Sequence, residues 1–282
     1  MRLASFEHAG VTTWGVIDGS EAIDVGAVLG AEYPTLRTAI AADATGRISA
    51  VLADVPRFSV DDITWLPVIP DPTKILCIGL NYEMHRVETG RDVTGHPAVF
   101  TRFADSQIGH KAPIVRPHMS TELDYEGELA IVIGKGGRYI SRDQAMDHVA
   151  GYSIYNDGSV RDWQRHTIQF TPGKNFPGTG ALGPVLVTSD EITDYRELKL
   201  ETRVNGEVLQ SAGLDQLIFS IPVLIEYCST FTPLNPGDVI ATGTPGGVGA
   251  KRKPPVWLKP GDKVEIEVSQ IGILQNEVED ER

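Results

Sequence analysis

The sequence predicts an α+β protein that is mostly β, and three observations support this fold class. Seven segments between residues 75 and 268 have the β-branched and aromatic content of strands and are bounded by Gly, Pro or Asn. The segments with helical spacing are short and irregularly placed among them. No regular alternation of strand and helix is present, which argues against a doubly wound parallel sheet.

The first part of the chain predicts a small N-terminal α/β domain. Residues 2–25 alternate in polarity and turn at Asp18-Gly19, as in a small antiparallel meander. One helix is predicted at 35–42, with Thr35 as its N-cap. Three prolines in the segment 66–72 remove backbone donors and fix the chain. We therefore predict two domains, one at 1–69 and a larger one at 70–282.

The larger domain is predicted to hold seven strands and four helices. The predicted strands are at 75–79, 98–103, 129–133, 152–155, 200–204, 239–242 and 264–268. The predicted helices are at 81–89, 142–148, 160–166 and 214–230, the last interrupted at Pro222. The acidic end of the chain, residues 277–281, is predicted to be solvated and partly frayed.

Composition excludes some classes of partner. The chain has 282 residues and a net charge of -13, which repels nucleic acids and anionic membrane surfaces. No apolar stretch reaches the roughly 18 residues of a membrane helix, and the N-terminus has no signal-peptide pattern, so we expect a cytoplasmic protein.

Cys77 and Cys228 lie in apolar runs and are predicted to be buried small hydrophobic residues. A disulfide between them is the alternative.

An acidic motif is the sharpest local feature. Glu126-Gly127-Glu128 leads directly into the apolar segment 129–133, and side chains two apart in a strand point to the same face. Two like charges this close repel unless a proton or a cation lies between them, although a lone Glu-x-Glu is more often a solvated strand end. Asp157, at the end of the next apolar strand, offers a third carboxylate. Three carboxylates without histidine or thiolate suit Mg²⁺, Mn²⁺ or Ca²⁺ better than zinc.

A histidine and a glutamate form the second candidate group. His85 and Glu88 are three residues apart on the helix predicted at 81–89, so they are neighbours on one face. A carboxylate beside an imidazole orients the ring, and such a pair can take a proton from water, an effect worth ~10² to 10⁴ in rate. Surface His/Glu pairs without any catalytic role are common, and Glu83 is an alternative partner for His85.

Two loops complete the set of candidates. Lys174 is the one charged residue in the segment 172–178 and is a candidate to stabilise an oxyanion, although a lysine exposed on a turn is the simpler interpretation. The segment 241–249 follows a strand and offers backbone amides and two hydroxyls to an anionic group. It lacks the Lys-Ser ending of a phosphate-binding P-loop, so no nucleotide site is predicted.

In this order, the motifs resemble those of the fumarylacetoacetate hydrolase family, which includes acylpyruvases, fumarylpyruvate and maleylpyruvate hydrolases, and isomerase/decarboxylases. The similarity runs from about residue 70 to the C-terminus. Five ordered motifs carry it: Gly79-Leu80-Asn81-Tyr82 with His85 and Glu88; Glu126-Gly127-Glu128-Leu129; Asn156-Asp157 with Arg161-Asp162-Trp163-Gln164; Gly173-Lys174-Asn175-Phe176; and Thr242-Gly243-Thr244-Pro245 with Gly247-Val248-Gly249.

The resemblance implies a mixed β-roll catalytic domain, usually homodimeric, preceded here by the small N-terminal domain. It implies a small-molecule keto acid as substrate and Mg²⁺ or Mn²⁺ as cofactor, Ca²⁺ being also compatible. The residue roles that it implies are metal ligands at Glu126, Glu128 and Asp157; an acid/base dyad of His85 and Glu88; oxyanion stabilisation by Lys174; and substrate contacts from Tyr82, Arg161, Gln164 and Thr244.

The function implied by the resemblance is metal-dependent hydrolysis of a carbon–carbon bond in an acylpyruvate, such as fumarylpyruvate or maleylpyruvate, in aromatic-compound catabolism. Leu80 and Arg102-Phe103 depart from the pattern of many acylpyruvases, and these departures concern the substrate more than the fold.

Three other reactions use the same metal-dependent chemistry and are the alternatives: oxaloacetate-type decarboxylation, keto–enol isomerisation and 2-hydroxyhepta-2,4-diene-1,7-dioate isomerisation. A non-catalytic protein with a structural Ca²⁺ is the competing class. Arg102, Arg161 and Arg165 are candidates for binding a second substrate carboxylate.

Overall fold

Strands dominate the chain. A computed structural model describes residues 1–90, 92 and 94–282, and the elements below belong to those residues. The strands are β1 (Arg2–His8), β2 (Val11–Asp18), β3 (Glu21–Ile23), β4 (Arg57–Ser59), β5 (Thr64–Trp65), β6 (Ile75–Gly79), β7 (Ala98–Arg102), β8 (Gln107–Ile108), β9 (Ile114–Arg116), β10 (Leu123–Asp124), β11 (Gly127–Ile133), β12 (Val149–Asp157), β13 (Ser159–Val160), β14 (Gly180–Thr188), β15 (Lys199–Val204), β16 (Glu207–Gly213), β17 (Val239–Ala241), β18 (Lys263–Val268) and β19 (Gly272–Asp280).

The helices are short. The α-helices are α1 (Gly26–Leu29), α2 (Leu36–Ala41), α3 (Thr45–Val51), α4 (Glu83–Thr89), α5 (Arg161–Gln164), α6 (Thr171–Lys174) and α7 (Ile221–Phe231). The 3-10 helices are at Ala104–Ser106, Ala145–His148, Ser189–Glu191, Tyr195–Glu197, Leu214–Gln216 and Gly249–Lys251. In the described part of the chain, none of the helices has the length and apolar character needed to cross a membrane.

Two mixed sheets form the body. The larger runs β4-β3-β2-β1-β14-β12-β11-β17-β6-β7, with β5 added beside β1 and β8 beside β14. The smaller runs β16-β15-β18-β19-β9. Most pairs are antiparallel, but β17 with β6, β14 with β8 and β19 with β9 are parallel. Every residue of β11 is buried, because the small sheet covers one face of the large sheet and α2 and α3 pack on the other.

The predicted fold class is confirmed: all seven predicted strands are present, and strands far outnumber helical turns. The acidic side chains of residues 277–281 are solvated as predicted, but the prediction that this end is partly frayed was wrong. Residues 277–280 belong to β19, which pairs with β18 and β9. Val278 is buried on the inner face while Glu277 and Glu279 alternate with it, so the acidic residues are the outer face of a strand.

Three predicted helices are shorter than expected, and one is divided. Helix α4 begins only at Glu83, because Tyr82 is extended and the side chain of Asn81 bonds to other loops. The helix predicted at 214–230 is a 3-10 turn followed by α7, in which Pro222 occupies the first turn, where its missing N–H costs nothing.

The N-terminal elements agree with their prediction, since β1, β2 and β3 form the meander and Thr35 caps α2. Strand β1 pairs with β14, so the meander extends the large sheet. The division at residues 69 and 70 stays a prediction. Cys77 and Cys228 are buried free thiols, as predicted.

We expect the centre of β11 to carry much of the stability. Ile131 is fully buried, and Ile131→Ala should lower the free energy of unfolding by about 2–5 kcal/mol. Ile168 is 91% exposed, and Ile168→Ala should change it by no more than about 0.5 kcal/mol. Denaturant unfolding of both variants checks this, and equal losses would contradict the burial described.

Candidate functional site

The register of two strands brings three carboxylates together. Gly127 on β11 lies opposite Asn156 on β12, and the next backbone hydrogen bond runs from the Asp157 N–H to the Glu126 carbonyl. Residues opposite each other and residues two apart share a face, so Glu126, Glu128 and Asp157 point the same way. All three are buried, and their oxygens lie within 4.8 Å of one another.

The glycine between the two glutamates has a packing role. A Cβ atom on Gly127 would lie 2.1 Å from Thr202 Oγ1 and 3.1 Å from Ile266 Cγ2 on the small sheet. The face opposite the carboxylates is therefore in direct contact with the second layer. The Glu-Gly-Glu motif places charge on one side of β11 and close sheet packing on the other.

Glu128 is the carboxylate with the weakest compensation. Its Oε2 accepts a hydrogen bond of 2.8 Å from the Gly243 N–H at the end of β17. Burial, and then the carboxylates of Asp157 and Glu126, raise the pKa of Glu128 well above its usual range. A cation beside Glu128 would remove this penalty, and an all-carboxylate donor set fits a hard divalent ion.

Lys174 is not exposed on a turn. It ends α6, is 1% exposed, and its Nζ lies 2.6 Å from Glu126 Oε2 and 2.6 Å from Asp157 Oδ2. Burial opposes its charged form, but Asp157 and Glu126 outweigh burial and raise the pKa of Lys174. Its ammonium therefore stays charged and balances two of the three candidate ligands.

Arg161 is tied to the same cluster. Its Nη2 donates to Glu126 Oε1 at 2.6 Å and its Nε donates to Asp124 Oδ2 at 2.8 Å. Burial alone would raise the pKa of Glu126, but Arg161 and Lys174 outweigh it and lower that pKa to about 2. Glu126 is thus an ionised carboxylate between two cations.

The position of Arg102 does not support the predicted contact with a second substrate carboxylate, because its side chain lies outside the cavity lining. Its side chain is fully buried, and it donates to Asp157 Oδ1, the Gly158 carbonyl and Thr179 Oγ1. Because its guanidinium is occupied within the protein, it compensates the charge of Asp157. Arg165 lies at the cavity and pairs with Glu122 at 3.1 Å.

The His85 and Glu88 pair is present on α4. His85 Nδ1 and Glu88 Oε1 are 2.8 Å apart, whereas Glu83 pairs with Arg86. An ionised carboxylate only accepts hydrogen bonds, so this contact favours a proton on Nδ1 and leaves Nε2 as the acceptor. His85 is buried and lines the same cavity as the three carboxylates.

The predicted substrate contact from Tyr82 is not supported by its position. Its side chain is 1% exposed and lies outside the cavity lining, and its hydroxyl has no hydrogen-bond partner among the described residues. Tyr82 precedes α4 in an extended conformation and forms a β-bridge with Leu217, which turns its side chain into the core.

A cavity of about 330 Å³ joins these groups. Of the predicted substrate contacts, Arg161, Gln164 and Thr244 line it. Thr244 Oγ1 donates to the Gly127 carbonyl and accepts from Gln210, while Gln164 Oε1 accepts from Arg161. The apolar part of the wall comes from Ile78, Leu80, Phe100, Ile168, Phe170 and Val248.

Sequence reasoning missed Asp124 and Lys251. Asp124 is fully buried and holds Arg161 together with the N–H groups of Gly249 and Ala250. Its spacing of two residues from Glu126 was an available signal. Lys251 lines the cavity at its exposed rim, and no spacing in the sequence pointed to it.

If this cluster holds a divalent ion, Glu128→Gln should show it without any assay of turnover. Without metal the variant should be at least as thermally stable as the wild type, because a repelled buried charge is removed. Mn²⁺ at about a hundred times its Kd should stabilise the wild type by about 2.7 kcal/mol and the variant far less. Thermal unfolding measures this, with Glu267→Gln as a control that should respond to Mn²⁺ like the wild type. An equal Mn²⁺-induced stabilisation of the wild type and of Glu128→Gln would contradict the site.

Comparisons with known proteins agree with this arrangement. Residues 74–279 match the model of the fumarylacetoacetate (FAA) hydrolase C-terminal family. The chain is 47% identical over 226 residues to oxaloacetate tautomerase YisK of Bacillus subtilis strain 168, covering 78% of this chain and 75% of the relative. It is 44% identical over 231 residues to the human mitochondrial oxaloacetate tautomerase FAHD2A, covering 81% of this chain and 74% of the relative.

A solved structure extends the similarity over the whole length. Maleylpyruvate hydrolase from Sphingobium sp. SYK-6, in complex with manganese(II) ion and pyruvate, superposes with a TM-score of 0.84 at 30% identity, covering 100% of each chain. The fold is therefore the one that this enzyme family shares. From the matched family model and these relatives, the chain belongs to the fumarylacetoacetate hydrolase family.

Proposed function

We propose that this protein is a divalent-metal-dependent tautomerase of oxaloacetate or a closely related 2-oxo dicarboxylic acid. The observation that supports this best is the convergence of three buried carboxylates and His85 on one cavity. The relatives that cover most of the chain at 44–47% identity are named oxaloacetate tautomerases. This favours keto–enol isomerisation, one of the alternatives on the same chemistry, over acylpyruvate hydrolysis.

In this proposal Glu126, Glu128 and Asp157 hold Mg²⁺ or Mn²⁺. When bound, such an ion supplies Lewis-acid polarisation of the 2-oxo group and so makes the neighbouring C3–H more acidic. The isomerisation moves one proton between C3 and the 2-oxygen, with no other bond made or broken. His85 Nε2 is proposed to carry the C3 proton, with Glu88 orienting the ring. Lys174, whose Nζ lies 2.6 Å from both Glu126 and Asp157, is proposed to stabilise the charge that develops on the substrate oxygen.

The buried charges favour an anionic substrate. Four buried carboxylates, Asp124, Glu126, Glu128 and Asp157, face three buried cations, Arg102, Arg161 and Lys174. With all four carboxylates ionised the set has an excess of one negative charge, which one divalent ion would turn into an excess of one positive charge. Within a protein of net charge -13, this would attract an anion locally.

The cavity also suits a second carboxylate. Arg165 and Lys251 lie on its lining, away from the buried ion pairs, and the structure gives Lys251 no ion pair within the described residues. A small dicarboxylic acid fixed at one end by the metal cluster could place its other carboxylate towards these cations. This supports a 2-oxo dicarboxylate more than a long acyl chain.

Acylpyruvate hydrolysis remains the second candidate. The similarity to maleylpyruvate hydrolase favours it, and the His85–Glu88 pair could equally activate a water molecule. It differs from tautomerisation because it releases pyruvate and a second acid.

Three further expectations also remain proposals: a homodimer, a cytoplasmic location, and a place in aromatic-compound breakdown. They rest on the family resemblance and composition described above.

The decisive assay follows the enol and keto forms of oxaloacetate spectroscopically while pyruvate release is measured in parallel. We expect faster interconversion with Mg²⁺ or Mn²⁺, little pyruvate, and loss of the effect with EDTA. His85→Ala should lower the rate by ~10² to 10⁴ while the Mn²⁺-induced thermal shift is retained. Pyruvate formed from fumarylpyruvate or maleylpyruvate, without tautomerase activity, would replace this proposal by the hydrolase.

A further inference from the structure

The glycine-rich loop after β17 contacts the His85–Glu88 pair through the N–H of Gly247. Glu88 has two carboxylate oxygens, and Oε1 contacts His85 Nδ1 at 2.8 Å. The other oxygen, Oε2, accepts a hydrogen bond of 3.0 Å from the N–H of Gly247. The orientation of the dyad therefore depends on where the Gly247 peptide lies.

The other side of Gly247 is clamped by two side chains from elsewhere in the fold. Its carbonyl accepts from Tyr125 Oη at 3.0 Å and from Arg252 Nε at 3.2 Å. Arg252 Nε also lies 3.2 Å from Tyr125 Oη, and Arg252 Nη2 donates to the Leu209 carbonyl at 2.6 Å. The clamp is thus anchored to β16 and to the residue before the metal-cluster motif.

The backbone here is adapted to close contact. Gly247 has a φ of +104°, and a Cβ atom on it would lie 2.1 Å from the Leu209 carbonyl oxygen. At Gly246 a Cβ atom would lie 3.2 Å from Met84 Cβ on α4. Glycine at both positions lets the loop press on β16 on one side and on the helix that carries the dyad on the other.

We propose that Tyr125 and Arg252 are positioning residues for the His85–Glu88 dyad and act through Gly247. Neither residue belongs to the cavity lining. By holding the carbonyl of Gly247 they restrict the backbone rotation of this residue, which keeps its N–H directed at Glu88, and Glu88 in turn orients the imidazole. This inference rests on the proposed role of His85 in proton transfer.

The test is a double-mutant cycle measured on the metal-loaded protein with oxaloacetate. Tyr125→Phe removes one hydrogen bond to the Gly247 carbonyl and should lower kcat about 5- to 10-fold, with KM within about two-fold. In a Glu88→Ala background the same change should have no further effect on kcat, because the residue through which it acts is gone. Arg252→Lys should behave in the same way.

Matched controls separate positioning from general loosening of the fold. Tyr195→Phe, in the 3-10 helix Tyr195–Glu197, and Arg203→Lys, in β15, make the same chemical changes outside the cavity lining and should leave kcat unchanged. A loss of kcat from Tyr125→Phe that persists at full size in the Glu88→Ala background would overturn the inference.

Amide hydrogen exchange gives a readout that does not need turnover. In Tyr125→Phe, the amides of α4 should exchange several-fold faster than in the wild type, while those of β12 should not change. If the wild type lacks tautomerase activity but α4 loosens in this way, the clamp stands and the proposed function fails. If the wild type is active and neither kcat nor α4 exchange responds, the clamp fails and the proposed function stands.

Discussion

The pairing register of β11 and β12 is the constraint on which the rest of the site depends. It places Glu126, Glu128 and Asp157 on one buried face, where three like charges within 4.8 Å repel each other strongly. Because all three side chains are buried, solvent screens this repulsion only weakly. The surrounding structure therefore has to supply positive charge and hydrogen-bond donors at this one place.

The nearby polar network supplies them. Lys174 and Arg161 both pair with Glu126, Lys174 and Arg102 both pair with Asp157, and among the described residues only the Gly243 N–H donates to Glu128. A divalent ion beside Glu128 would relieve this uneven compensation. Asp124 links Arg161 to residues 249–250, so this one cation is held by the loop that also contacts the dyad.

The sequence was informative where residues of one site lie only two or three positions apart along the chain. The two-residue spacing at Glu126 and Glu128 and the three-residue spacing at His85 and Glu88 predicted which side chains lie together, and the seven strands had clear composition. It could not indicate that Lys174 and Arg102 are buried, because their partners are 17 to 55 residues away along the chain. The ordered strand at the acidic end was missed because Val278 alone marks its buried face. The inward direction of the Tyr82 side chain could not be predicted because it depends on the tertiary bridge to Leu217.

The central claim is that Glu126, Glu128 and Asp157 would hold a divalent ion at which the 2-oxo acid substrate binds. Titration calorimetry with oxalate tests it most directly, because oxalate offers two adjacent oxygens like those of the substrate's carboxylate and 2-oxo group but does not react. The account predicts that oxalate binds to the Mn²⁺-loaded protein, competes with oxaloacetate, and does not bind after EDTA treatment or to Glu126→Gln. Equal binding of oxalate with and without metal, or binding unaffected by Glu126→Gln, would contradict it.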